Sequence, residues 1–412
     1  MKSTLSRYAI ILLGILSMAI ALPDLYWLAF NKPVRKPYIN YSPILKDFVS
    51  RITTDNGDFI YIDNQGQTYD RKSYETLIPY LSFYNLDKWG VLPDTLDGFP
   101  LSISNIRRNR QHSVFRKHIF HSPLIQLYPL FESQSDFVRL EMPKELFRLT
   151  DRIEFLDART NSILDSLSNR YNAALIAAGF RFPAKYIAGN PTTKKPFDEG
   201  YFIIDHTNNV FHLKQIKGEP FCVKTGIPPD LNIRHIRVEE NTRREFYAIA
   251  ITWDDDVHLI SYDNYKPIRL PIEHYRADEM DMILYFFPTY RSFEYSDDKH
   301  FNCIVTDLEY NVIANHSTDW TPKSEWLQSR IASVIFPFRI ERRSHKTDYV
   351  LFYLQLNGWL ALIGILLALG STIIIKKAVY REDPKAHWYD LLVVAVTGLY
   401  GALAVLLIRP ES

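Results

Sequence analysis

The segment YFIIDHTNNVFHLK, Tyr201 to Lys214, decides how the centre of this sequence is read. An apolar run ends at Asp205, four polar residues follow, and a second apolar run opens at Val210. Asp205, His206 and His212 have the composition of a catalytic or metal-binding cluster. The same pattern describes two β-strands joined by a turn, because Asp and Asn side chains bond turn backbone and tolerate left-handed conformations. Three other segments favour the turn. FIYIDNQGQTYD, IEFLDARTNSILD and FNCIVTDLEYNVIAN end their apolar runs at Asp63, Asp157 and Asp307 and reopen at Thr68, Ser162 and Val312. None of the three contains histidine, so turn chemistry accounts for the aspartate without catalysis. A shorter relative, FYAIAITWDDDVHLISYD, turns at Asp254–Asp256.

The spacing of these turns suggests a repeat. Asp157 to Asp205 is 48 residues, Asp205 to Asp254 is 49, Asp254 to Asp307 is 53, and Asp63 to Asp157 is 94, close to two units. That unit is the size of one four-stranded propeller blade, and IEFLDARTNSIL resembles the strand–turn–strand hairpin of quinoprotein-type propeller repeats. The expected fold of residues 31–349 is therefore mainly β and β-propeller-like, with a large β-sandwich carrying helical insertions as the alternative. A unit due near residue 110 is matched poorly by SNIRRNRQHSVF. Two segments carry helical spacing instead. KSYETLIPYLSFYNL places Tyr74, Leu77, Ile78, Leu81 and Tyr84 on one face, with Pro79 kinking or splitting it. SLSNRYNAALIAAGF has Ser168 or Asn169 as its cap and Gly179 as its stop.

Three apolar stretches lie at the ends of the 412 residues. Residues 1–30 read as a transmembrane anchor bent at Pro23, with Tyr26 and Trp27 at the interface, or as a signal peptide cleaved after AIA at Ala19–Ala21. Residues 350–375 are long enough to span, with Gln355 and Asn357 facing water or another helix. Residues 391–408 form a third, minimal span after a loop at 376–390, and 409–412 are a tail. Gly398 and Ala402 give the third helix a small-xxx-small packing face. Lys2, Arg7, Lys376, Lys377, Arg381 and Lys385 put the N-terminus and the loop in the cytoplasm and the long central segment outside. The expected location is the bacterial inner membrane, three-pass, with a periplasmic domain. The basic segments Lys32–Lys36 and Arg339–Lys346 lie near the lipid and read as solvated charge or head-group contacts.

Net charge is +1, which gives no global field for nucleic acid. Two cysteines, Cys222 and Cys303, exclude a disulfide scaffold and a multi-cysteine zinc module; they read as free thiols, with one bridge as the alternative. His112, His118 and His121 lack a carboxylate at ligand spacing and sit among Arg107, Arg108, Arg110, Arg116 and Lys117, a solvated basic surface. Three adjacent acids, Asp254–Asp256, cannot all face one calcium ion from a tight turn. KKPFDEGYF offers a binding surface at Lys194, Lys195, Asp198 and Glu199, against the plainer reading of a loop before a strand. YFFPTYRSFEY offers Tyr285, Tyr290 and Tyr295 for stacking on a ligand, against packing between sheets. GxSxG, HExxH, P-loop and GxGxxG motifs are absent, and no catalytic residue, metal or cofactor is expected.

RYNAALIAAGFRFPAKYIAGNPTTKKPFDEGYFIIDHTNNVFHLKQIKGEPFC, Arg170 to Cys222, resembles a family of bacterial inner-membrane proteins of similar length with no assigned activity. RIEFLDARTN and the terminal spans fit it as well. The resemblance implies association with ABC-type transporter components. The sequence thus points to a non-enzymatic membrane-anchored accessory or scaffold protein of an envelope ABC-type transport complex, with the bilayer and other membrane proteins as partners. The alternatives are an extracytoplasmic ligand-binding receptor or sensor, and a propeller-type hydrolase or lyase.

Overall fold

A computed structural model describes residues 2–31, 36–54, 56–121, 126–344, 350–381 and 387–410. The chain divides into two compact units, 36–319 and 1–35 with 320–412.

The unit 36–319 is mainly β. Sheet I is a meander of Tyr38–Ser42, Asp47–Thr53, Phe59–Asp63 and Thr68–Tyr69. Sheet II has three strands, Tyr128–Pro129, Glu145–Leu149 and Ile153–Asp157. Sheet III (Tyr186–Gly189, Tyr201–Ile204, Val210–Ile216, Glu219–Lys224) and sheet IV (Ile233–Val238, Phe246–Thr252, Val257–Ser261, Pro267–Arg269) are four-stranded meanders. Sheet V continues with Asp281–Phe286, Arg291–Ser296, His300–Thr306 and Val312–Asp319. All five are antiparallel.

Alternation along the strands sends side chains to both faces, and neighbouring sheets share cores. Phe147, Phe155, Tyr201 and Phe211 join sheets II and III beneath the helix Asp165–Ala177, which contributes Tyr171 and Leu175. Phe202, Ile204, Ile236, Ala248 and Ile260 join III and IV. Phe246, Leu259, Met282, Leu284 and Phe293 join IV and V. Tyr41 meets Tyr290 at 5.2 Å between ring centroids, joining I to V.

A closed propeller is not found among the described strands. The four-stranded unit recurs through sheets III, IV and V. The unit due near residue 110 supplies one strand, Gln111–Phe115, which adds to the edge of sheet V beside Asp281–Phe286. The other paired strands near it, Thr95–Leu96 and Phe99–Pro100, are two residues each and do not make a four-stranded unit.

The turns behave as their composition requires. Asp63 Oδ1 accepts from the amides of Gln65 and Gln67, both at 2.9 Å. Asp205 accepts from Thr207 and Asn209 at 2.8 and 2.9 Å, and Asp307 from Glu309 and Asn311 at 3.0 and 2.8 Å. Each turn holds one residue at positive φ: Gly66, Asn208 and Tyr310. In the fifth hairpin Thr252, not Asp254, takes the aspartate's place: its Oγ1 accepts from Asp256 N at 3.1 Å, and Asp255 has the positive φ. The helical segments also follow their pattern. Pro79 splits the first into Arg71–Leu77 and Pro79–Trp89. Ser168, expected as a cap, lies inside its helix, which begins at Asp165, and accepts from Phe155 N at 2.9 Å.

In the second unit, one helix runs through Pro23 from Lys2 to Phe30. Ile11, Ile15 and Ala19, four residues apart, face the unit's core, whereas Leu12, Leu13 and Leu16 are exposed. Thr4–Phe30 and Ala361–Ala378 are long and apolar enough to cross a membrane. The second of these begins eleven residues later than the hydropathy run. Val350–Leu356 is a strand paired with Phe338–Ser344, and Gln355 and Asn357 are polar anchors there: Gln355 accepts from Arg339 at 2.9 Å and Asn357 donates to Phe336 O at 2.7 Å.

The third apolar stretch is not one helix. Trp388–Thr397 and Leu399–Leu407 meet at Gly398, whose φ of 56° and ψ of −129° lie outside the helical region and suit only glycine. The second helix returns alongside the first. Tyr380, just past the end of Ala361–Ala378, donates to Leu406 O at 3.3 Å, and Arg409 lies 3.7 Å from the Tyr380 ring centroid. Gly398 and Ala402 therefore do not share one helix face: Gly398 makes the turn, and Ala402 lies in the core.

Candidate functional site

The loop 190–200 connects the first two strands of sheet III and carries most of the expected binding residues. It closes on Gly200, at φ +66°, where an added Cβ would stand 2.2 Å from Leu213 O. This close approach turns the chain inward and buries Lys195, Asp198 and Glu199. Lys195 uses all three ammonium protons: on Asp198 Oδ1 at 2.6 Å, on Glu240 Oε1 at 2.8 Å and on Asn190 O at 2.8 Å. Asp198 Oδ2 accepts from Ser133 and from Gly200 N at 2.8 and 2.9 Å. Glu240 also takes Glu199 N at 2.7 Å and Asn190 Nδ2 at 2.8 Å. Glu199 pairs with Lys214 and accepts from Tyr262 at 2.9 Å.

His212 belongs to the same network. Its Nε2 lies 2.5 Å from the Glu199 carbonyl, which can only accept, so Nε2 carries the proton and Nδ1 accepts from Tyr265 OH at 3.0 Å. Burial and the charge of Lys214 push the His212 pKa down to about 3, so the imidazole is neutral at physiological pH. Burial raises the Glu240 carboxyl, and the Lys195 charge opposes it. Chemically, the cluster is a brace: five formal charges hold loop 190–200 to sheets III and IV, and they bond to one another, to nearby backbone and to the side chains of Ser133, Asn190 and Tyr262. Lys194 is exposed and stands outside it.

The three expected aromatics lie elsewhere, among rings of the domain itself. Tyr285 stacks on Phe287 at 5.5 Å. Tyr290 is buried against Tyr41 and Phe287, and Tyr295 donates to Glu273 O at 2.6 Å. Asp205 and His212 do not meet as a catalytic pair; they occupy the turn and the brace. His112 lies on a strand and stacks 6.1 Å from Tyr285, and His118 and His121 fall in the 3₁₀ turn Lys117–His121. No group of three His, Cys, Asp or Glu arranged to hold a metal occurs among the described residues. Cys222 and Cys303 are both free thiols.

Two features escaped the sequence reading. A cavity of about 330 Å³ is lined by Tyr38, Arg51, Phe59, Tyr61, Arg71 and Glu75; Arg71 pairs with Glu75 at 2.8 Å, and Arg51 is held 5.0 and 4.9 Å from the centroids of Tyr38 and Phe59. The helical unit has an ionic cluster of its own. Both Asp390 oxygens receive the Arg7 guanidinium, at 2.8 and 2.9 Å; Tyr8 OH donates at 2.8 Å and Lys376 Nζ at 2.6 Å. Arg7 Nε donates to Ile408 O at 2.9 Å. The cluster thus gathers the start of the first helix, the end of the second, and both ends of the hairpin 388–408. Asp390, the last residue of the loop before the third apolar stretch, is the only acid in the hairpin 388–408, which was the available signal.

Nothing among the curated proteins matches the chain. Residues 38–306, about two thirds of the sequence and nearly all of the β unit, match a family described as a domain of unknown function, DUF4857, and the chain belongs to that family.

Proposed function

We propose that this protein is a membrane-anchored accessory component whose β unit docks on another membrane protein, an ABC-type transport complex of a bacterial inner membrane being the partner its resemblance suggests. The observation that carries this reading is the Arg7–Tyr8–Lys376–Asp390 cluster. It makes the N-terminal helix a permanent member of the bundle, because removing that helix leaves Asp390 and Lys376 buried without Arg7. Lys2, Arg7, Lys376, Lys377, Arg381 and Arg409 gather at this same end of the helices, so the positive-inside rule assigns it to the cytoplasm. The first helix runs away from that end to Phe30, so on this reading the residues that follow it in sequence, 36–319, lie outside. Two spans and a hairpin that returns to its side of entry replace the three spans expected from hydropathy.

Affinity purification of the full chain in a mild detergent tests the docking role. A membrane partner recovered in stoichiometric amount supports it, and a lone chain at native expression level counts against it. A receptor is the second reading. It is favoured by the aromatic cavity around Arg51, which suits a small anionic ligand with an apolar body.

A further inference from the structure

The segment between the β unit and the second spanning helix has an apolar surface that the helical unit leaves uncovered. On the helix Leu327–Ile335, Leu327 and Ile331 stand one turn apart and are exposed, while Ala332 enters the core. In the following β-hairpin, directly paired residues share a face. Phe338 pairs with Leu356, Ile340 with Leu354, and Arg342 with Phe352. Phe338 and Ile340 pack on the bundle core, yet Phe352, Leu354 and Leu356 on that same face are 63, 66 and 72% exposed. The other face carries Arg339, Glu341, Tyr353 and Gln355, with Arg339 hydrogen-bonded to Gln355.

We infer that residues 327–344 and 350–359 form a shelf lying in the boundary between head groups and acyl chains of the leaflet at the Tyr26 end, with phospholipid as its partner. Three observations select lipid. First, the apolar face continues through Trp359 onto Leu362 and Leu366 of the spanning helix, all strongly exposed. Second, the depth fits. Tyr26 donates to Gln328 O at 2.8 Å, and an added Cβ on Gly364 would stand 1.7 Å from Val334 O, so the shelf lies level with the outer turns of both helices. Arg7 and Tyr26 are nineteen residues apart, a rise of about 28 Å, close to the thickness of the hydrocarbon core. Third, a two-stranded sheet keeps unpaired backbone groups at its edges, which hydrocarbon excludes and hydrated head groups accept. Arg342 on the apolar face is placed to reach a phosphate.

The inference rests on the two-span reading, so its test must separate the two. Full-length protein lacking Cys222 and Cys303 is spin-labelled at single cysteines and reconstituted into phosphatidylcholine vesicles. Collisions with oxygen, which concentrates in lipid, and with a water-soluble nickel chelate are compared. Labels at Phe352, Leu354 and Leu356 should show an oxygen-to-nickel ratio several-fold above that at Gln355, giving a two-residue alternation. Leu366 on the spanning helix is the control. Oxygen preference at Leu366 with nickel preference at Leu354 overturns the shelf alone. Protection of Leu354 from both reagents also overturns it, in favour of contact with a second copy. Nickel preference at Leu366 overturns the membrane reading and the shelf with it.

Discussion

The two ionic clusters solve different problems with the same chemistry. The brace around Lys195 is local: apart from Ser133, Tyr262 and Tyr265 its members lie within residues 190–240, and it fixes one loop against two adjacent sheets. The cluster around Asp390 is global in sequence, joining residues 7, 8, 376, 390 and 408. A β-domain already closes its backbone hydrogen bonds through neighbouring strands, so its buried charges can be spent on a single loop. On the proposed membrane reading, the apolar helices gain little from hydrophobic burial, since lipid tails are as apolar as Leu; directional polar contacts and close packing must then set their register. This difference makes Asp390 the residue on which the helical arrangement depends.

Removing that carboxylate should therefore have the largest effect. Asp390→Ala leaves Arg7 and Lys376 facing each other without an anion, and breaking a buried pair in this way costs roughly 3–5 kcal/mol. The expected outcome is loss of a monodisperse detergent-solubilised protein on gel filtration. If Asp390→Ala behaves as wild type, the cluster is not what organises the helices. Lys195→Met in the β unit should come next. It strands Asp198 and Glu240, but Ser133, Asn190 and two amides still bond them, so we expect about 2–4 kcal/mol, read as a lower midpoint in denaturant.

A third test uses pH. Glu294 is half-buried on a central strand of sheet V between Ile283 and Cys303, and desolvation pushes its pKa up to about 8 despite the charge of Lys36. An unfolded glutamate ionises near 4.3, so between about pH 5 and 8 the unfolded chain releases a proton that the folded chain retains. Its contribution to stability is full at low pH and falls as pH rises through that window. Glu294→Gln should flatten this slope relative to wild type, and the difference between the two proteins cancels the opposing effect of His212 and His235, both held neutral by desolvation. An unchanged slope would show that Glu294 is ionised in the fold.

The smallest effect belongs to the turns. Asp205→Ala removes hydrogen bonds from Thr207 and Asn209 at a buried site and should cost about 1–2 kcal/mol. Burial acts to raise the Asp205 pKa, but these bonds hold it below the usual carboxylate range, so the contribution is present above about pH 4 and fades as pH falls further. Asp63→Ala, at an exposed turn of the same geometry, should lower the melting temperature less.

The turns were legible because the device is local: an aspartate reaches amides two to four residues ahead, two and four at Asp63, Asp205 and Asp307, two and three at Asp157. The repeat was legible only in part. Thr252 replaces the aspartate with a hydroxyl, so the anchor chosen at Asp254 stood two residues late, and a single strand at Gln111–Phe115 stands where a full sheet was expected. The loop 190–200 could be picked out as charged and turn-rich, but its partner Glu240 comes from another sheet, and no spacing announces that pairing. At the membrane, hydropathy counts apolar residues and is blind to direction. Eighteen residues that cross once and eighteen that turn back at Gly398 have the same profile. Asp390 and Gly398 held the distinction, one as a charge in need of partners, the other as a backbone that leaves the helix.

The side of the membrane on which the C-terminus emerges tests the account most directly. Green fluorescent protein and alkaline phosphatase are fused in turn after Ser412, with matched fusions at the N-terminus and at residue 320 as references. A hairpin that returns to its side of entry predicts that the C-terminal fusion behaves like the N-terminal one, fluorescent and without phosphatase activity, while the fusion at 320 is phosphatase-active. Phosphatase activity at both 320 and the C-terminus would mean that residues 388–408 cross the bilayer, and would contradict the arrangement around Asp390.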